Sequence, residues 1–161
     1  MKKMFISRVA LLAIVVTFAL SACEKENENA QVSNGKATIT GKIFIDYDLS
    51  NNGTGTTYDA VTSDFKMYAM YNTKDLILNT SGTYVDKIVP VTISADGKTY
   101  SVTVEANTKD VTVTLYSDDT RHDQKQAGGT TESKVFSLPS DITTTVVDGV
   151  SKIVDVSFDA N

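Results

Sequence analysis

The sequence predicts an all-β domain, a single antiparallel β-sandwich of about seven or eight strands. Three observations carry this expectation. From residue 37 onward, apolar side chains return at every second position, which is the period of a half-buried strand. Valine and threonine dominate these runs, as strands prefer, and no stretch sustains the 3.6-residue period of a helix. Asp96-Gly97 separates two such runs, a strong short-range hairpin signal. The alternating sets supply two apolar faces, and a sandwich forms when such faces meet.

The opening of the 161-residue chain obeys different rules. Lys2, Lys3 and Arg8 precede a nearly unbroken apolar run from Val9 to Leu20, followed by the small pair Ser21-Ala22. A positive start, a short apolar core and a small-residue end define a secretory signal. The run is shorter than the roughly 20 apolar residues a membrane-spanning helix needs. Residues 1–22 are therefore expected to be removed on export. Leu20-Ser21-Ala22-Cys23 resembles the lipobox of bacterial lipoproteins. That resemblance implies diacylglycerol on the Cys23 thiol, cleavage before Cys23 and acylation of the new amino group. Two or more acyl chains anchor stably where one is marginal. As the only cysteine, Cys23 also excludes an intramolecular disulfide and a cysteine-cluster metal site. Residues 23–36 are polar and charged, cannot bury enough surface to order themselves, and read as a flexible tether. Glu24-Lys25-Glu26 is similar to the surface-export signal of Bacteroidetes lipoproteins, and it reads equally well as a solvated spacer.

Residues 37–161 form one domain's worth of chain. With Lys2, Lys3 and Arg8 gone, 12 basic residues face 20 acidic ones, and the net charge moves from −5 to −8. An acidic domain without basic clusters is a poor nucleic-acid binder, because phosphate neutralisation supplies most non-specific affinity. It also repels anionic headgroups, which leaves membrane contact to the lipid. The absence of tryptophan weakens sugar stacking, while seven tyrosines keep it open.

Taken in order, Ala37, Ile39, Gly41, Ile43 and Ile45 alternate with Thr38, Thr40 and Lys42, with Phe44 set to pack under a loop. The stretch from Asp46 to Asp59 is glycine- and asparagine-rich and reads as that loop. Phe65, Met67, Ala69 and Tyr71 share the face of a second strand, and Leu76-Ile77-Leu78 is a short apolar piece. Tyr84 to Ile93 reads as one strand with Val85, Val89, Val91 and Ile93 inward; Pro90 makes it an edge or a bulge. Tyr100, Val102, Val104 and Ala106, then Val111, Val113 and Leu115, continue a meander. Residues 118–131 read as a long polar loop, Val135–Leu138 and Val150–Phe158 as the last strands, and Thr143-Thr144-Thr145 as a linker.

Ile93-Ser94-Ala95-Asp96-Gly97-Lys98-Thr99-Tyr100-Ser101-Val102-Thr103-Val104-Glu105-Ala106 resembles the centre of transthyretin-like (carboxypeptidase regulatory-like) β-sandwiches, and Ala37–Ile43 their first strand. The resemblance implies a small binding or structural module on a lipid anchor, with no catalytic residues to carry over.

The chemistry-bearing residues point the same way. His122, the only histidine, lies in an acidic stretch with no nucleophile-elbow motif around it, and reads as a solvated residue. Asp46, Asp48 and Asn51, and separately Asp118, Asp119 and Asp123, carry the hard oxygen ligands that Ca2+ takes, without EF-hand spacing. Turn-forming and solubilising roles compete with that use. No other cofactor is implied. Tyr47, Tyr58, Tyr116 and His122 are candidate ligand contacts. The function expected is a cell-surface, outer-membrane lipoprotein that binds a surface protein or glycan and does not catalyse. A glycan-binding accessory protein for polysaccharide uptake and a pilus or adhesion subunit are the alternatives.

Overall fold

A computed structural model describes residues 35–51, 58–77 and 83–161. The signal peptide, Cys23, most of the tether, Leu78 and the Gly53 and Gly82 turns lie outside the described residues. The described chain is all-β. Its strands are β1 (Gly35–Phe44), β2 (Met67–Asn72), β3 (Asp86–Pro90), β4 (Thr92–Ile93), β5 (Thr99–Ala106) and β6 (Val111–Ser117). They continue with β7 (Thr120–Lys125), β8 (Thr131–Ser137), β9 (Ile142–Val146), β10 (Ser151–Ile153), β11 (Val156–Ser157) and β12 (Asp159–Ala160).

One sheet runs β10-β1-β5-β4, with β11 also on β1; a second runs β3-β2-β6-β9; a third is β12-β8-β7. Alternation decides which side chains go inward. Ile39, Val102 and Val104 from the first sheet and Ala69, Val113 and Leu115 from the second are all buried in one continuous core. Each large aliphatic side chain so buried contributes about 1.5–3 kcal/mol. Phe136 of β8 brings the third sheet into the same core, where Phe158, just before β12, joins it.

Two glycines permit close approaches. A Cβ at Gly41 would lie 1.9 Å from the Val154 carbonyl oxygen, where the chain crosses β1, and the Tyr100 hydroxyl donates to that same oxygen at 2.5 Å. Gly97 adopts φ +66°, and its carbonyl accepts from the Val61 amide at 3.0 Å.

Several expectations need correction. Gly35 and Lys36 already belong to β1, so the tether ends earlier. Tyr84 to Ile93 is broken at Val91, where the chain leaves the second sheet for the first; Pro90 ends an edge strand as expected, but Val85 is exposed. Leu76 closes a 3-10 turn, Thr73–Leu76. The Thr143–Thr145 linker is the middle of β9, paired residue for residue with β6. The polar loop 118–131 is largely a hairpin strand, since β7 pairs along its whole length with β8. The sandwich is not wholly antiparallel. After β9 the chain turns at Gly149 and returns along the outside of β1, so β10 and β11 both run parallel to it.

Candidate functional site

The β7–β8 hairpin assembles the most concentrated chemistry of the domain. Its inward face is polar, yet Thr120 and Gln124 are buried. Gln124 Nε2 donates to the Asp46 carbonyl at 2.8 Å, and the Lys125 amide donates to the Tyr47 carbonyl at 2.7 Å. These bonds seat β7 beside the chain leaving β1, and they bring His122 against Tyr47.

The His122 ring lies nearly parallel to Phe65, with centroids 5.2 Å apart, and Tyr47 tilts toward it at 5.4 Å. His122 Nε2 stands 3.0 Å from Thr62 Oγ1 and 3.2 Å from Asp64 Oδ2. The Thr62 hydroxyl donates to Asp64. With its proton spent there, Thr62 oxygen accepts from His122, which makes Nε2 the protonated nitrogen. The Thr62 hydroxyl is the main reason that the Asp64 carboxyl sits below the usual carboxylate range. Burial pushes the Tyr47 phenol up to about 12. Among the described residues its buried hydroxyl has no hydrogen-bond partner. An open concavity lined by Tyr47, Thr62, Arg121, His122, Asp123 and Ser133 faces solvent beside this cluster.

The arrangement is suited to holding groups in place. In a hydrolytic triad the nucleophile and the orienting acid sit on opposite imidazole nitrogens. Here the hydroxyl and the carboxylate converge on the same one.

The predicted calcium ligands are not gathered. Asp46 Oδ1 accepts from the Asp48 amide at 3.0 Å, and Asp48 caps Ser50 and pairs with Lys125 at 3.3 Å. The Ser50 hydroxyl is the main reason that Asp48 sits below the usual range. Asn51 ends a short 3-10 turn, Leu49–Asn51. Asp118 accepts from the Tyr68 hydroxyl at 3.1 Å, while Asp119 and Asp123 are exposed, Asp123 on β7. Among the described residues no three His, Cys, Asp or Glu side chains stand together as a metal site.

Of the predicted contact residues, Tyr47 and His122 meet, Tyr58 covers Phe44 with centroids 4.5 Å apart, and Tyr116 stacks on Tyr68 at 5.2 Å. His122 is packed and partnered, which corrects its reading as a solvated loop residue. Thr62, Asp64 and Phe65 join the site without any mark of it in the sequence. The signal for the hairpin was present in Thr120, His122 and Gln124, three alternate positions, but none is aliphatic.

No protein-family model, curated protein or solved structure matches this chain.

Proposed function

We propose that this chain is a lipid-anchored lipoprotein of the outer membrane, displayed at the cell surface, whose β-sandwich binds a partner and does not catalyse. The anchor rests on Leu20-Ser21-Ala22-Cys23 behind an export signal, and the sandwich on the transthyretin-like pattern around Asp96-Gly97. The observation that carries the non-catalytic half is the use made of His122. The chain's single imidazole binds Thr62 and Asp64 through one nitrogen and packs between elements, so it ties the hairpin to the sandwich. Replacing Cys23 with alanine should move the protein from the membrane fraction to the soluble export fraction. Retention in membranes at the wild-type level would overturn the anchor.

A second reading, a glycan-binding accessory protein, is favoured by one surface. Tyr68 and Tyr116 are cross-strand neighbours on the outer face of the second sheet, beside Met70 and the exposed Ile88. Aromatic and apolar surface next to a carboxylate, Asp118, suits the mixed faces of a sugar. Binding on a glycan array that disappears in the Tyr68→Ala, Tyr116→Ala double variant would favour it; binding unchanged by the pair would remove it.

A further inference from the structure

Sheet edges are where a β-protein is open to another chain, and most edges here are guarded. Edge strand β3 carries Lys87 and ends in Pro90; β7 carries Arg121, Asp123 and Lys125; β4 and β10 have two and three residues. Charges, proline and brevity are the usual defences against strand addition. Strand β9 has none of these. It is Ile142-Thr143-Thr144-Thr145-Val146, uncharged, free of proline and at the end of the second sheet.

Its outward groups can be assigned. Lys152 Nζ reaches the Thr145 carbonyl at 3.3 Å, from the side away from β6. Backbone direction alternates along a strand, so Thr143 and Thr145 present both N–H and C=O to the free edge, while Ile142, Thr144 and Val146 bond to β6. Among the described residues the hydrogen bond made to that edge comes from the Lys152 side chain.

The segment is also its own complement. Read in either direction it gives a β-branched aliphatic, three threonines and a β-branched aliphatic. We propose that β9 pairs antiparallel with β9 of a second copy about a twofold axis at Thr144, joining the two β3-β2-β6-β9 sheets into one. In that register Thr143 exchanges both backbone bonds with Thr145 of the second copy, and Ile142 lies opposite Val146. The threonine ladder formed by Thr112 with Thr145 and Thr114 with Thr143 then runs on across the interface. Cross-strand threonine pairs of this kind favour pairing. Two-residue exchange on an acidic domain is weak in dilute solution. Tethering both copies to one leaflet raises their effective concentration, a point that rests on the proposed anchor.

The test uses the full chain in cell membranes, oxidised by copper phenanthroline. Thr144→Cys places a thiol on the axis, and Val150→Cys places one at an exposed position off it. Thr144→Cys should give a product of twice the chain mass at least tenfold more than Val150→Cys. Adding Thr143→Pro, which deletes an outward N–H and spares the ladder to β6, should lower the yield at least tenfold with melting temperature little changed. Lys152→Ala should raise it. Equal yields at the two positions, no product, or a product of another mass, showing a foreign strand on the edge, would each overturn the pairing. Failure of the anchor shows separately, as dimers of the otherwise wild-type chain through an unlipidated Cys23. Repeating Thr144→Cys in concentrated detergent extract then tests the pairing without a shared leaflet; no product there overturns it.

Discussion

Two antiparallel ladders of this domain, β1 with β5 and β7 with β8, obey the same geometry with opposite composition. The inward positions of the first are Ala37, Ile39, Ile43, Val102 and Val104. Those of the hairpin include Thr120, His122 and Gln124, with Phe136 as its one large apolar anchor. The first ladder is held by apolar burial, which is non-directional and tolerant of detail. The hairpin is held by a few bonds with defined partners, Gln124 to Asp46 and His122 to Thr62 and Asp64. The first should therefore fail through lost volume or overcrowding, and the second through the loss of single polar atoms.

The largest effect is expected at Gly41. A valine there must displace the Val154 carbonyl, which a Cβ would approach to 1.9 Å, and with it the Tyr100 bond. Overpacking of a well-filled site costs about 1–3 kcal/mol, occasionally more. Here the obstacle is backbone, so Gly41→Val should cost at least about 3 kcal/mol in chemical denaturation. A loss below about 1 kcal/mol would mean that the β10–β11 crossing yields easily, and that the first ladder is less rigid than its packing suggests.

The same contrast explains what was readable in the chain. Strands β1, β5 and β6 were legible because burial and hydrophobicity coincide in them, and Asp96-Gly97 marked the hairpin that joins β4 to β5. The β7 strand was hidden because its period is written in threonine, histidine and glutamine, residues whose burial depends on partners far away in sequence. Gln124 is buried because the Asp46 carbonyl, 78 positions earlier, accepts its amide. Strand β9 was hidden for a related reason, since a threonine run has strand propensity but no apolar face of its own. The site was half legible. Tyr47 and His122 stood out by type, whereas nothing local tied them to Thr62 and Asp64, which only the docked hairpin brings within reach.

A smaller, more local effect is expected from Gln124→Ala. It leaves the half-buried Asp46 carbonyl without its donor, and full burial would make that loss about 1–3 kcal/mol, so about 1 kcal/mol is expected here. Hydrogen exchange should then quicken along residues 120–137, while β1 and β5 keep their protection. Uniform loosening across both ladders would show that the hairpin belongs to the cooperative core and that the two ladders open together.

The smallest expected effect is the pH dependence at the same junction. Asp48 and Asp64, held chiefly by the Ser50 and Thr62 hydroxyls and also paired with Lys125 and His122 of β7, both titrate below their ordinary value of 3.8 in the folded chain. A carboxyl whose folded value is depressed contributes stability that is fully present above its unfolded value and is lost as pH falls through the folded one. The hairpin contacts should thus be intact at pH 5 and above and weaken progressively below about pH 4. Both carboxylates are substantially solvated, so screening keeps the effect small. Asp48→Asn with Asp64→Asn should lower the melting temperature slightly at neutral pH, yet lose less than the wild type between pH 5 and pH 3. Asp96, also depressed but part of the Asp96-Gly97 turn, supplies the contrast. Asp96→Asn should flatten the acid limb without changing exchange in the hairpin. If it opened the hairpin as the double variant does, the acid response would belong to the domain as a whole and the two ladders would titrate as one.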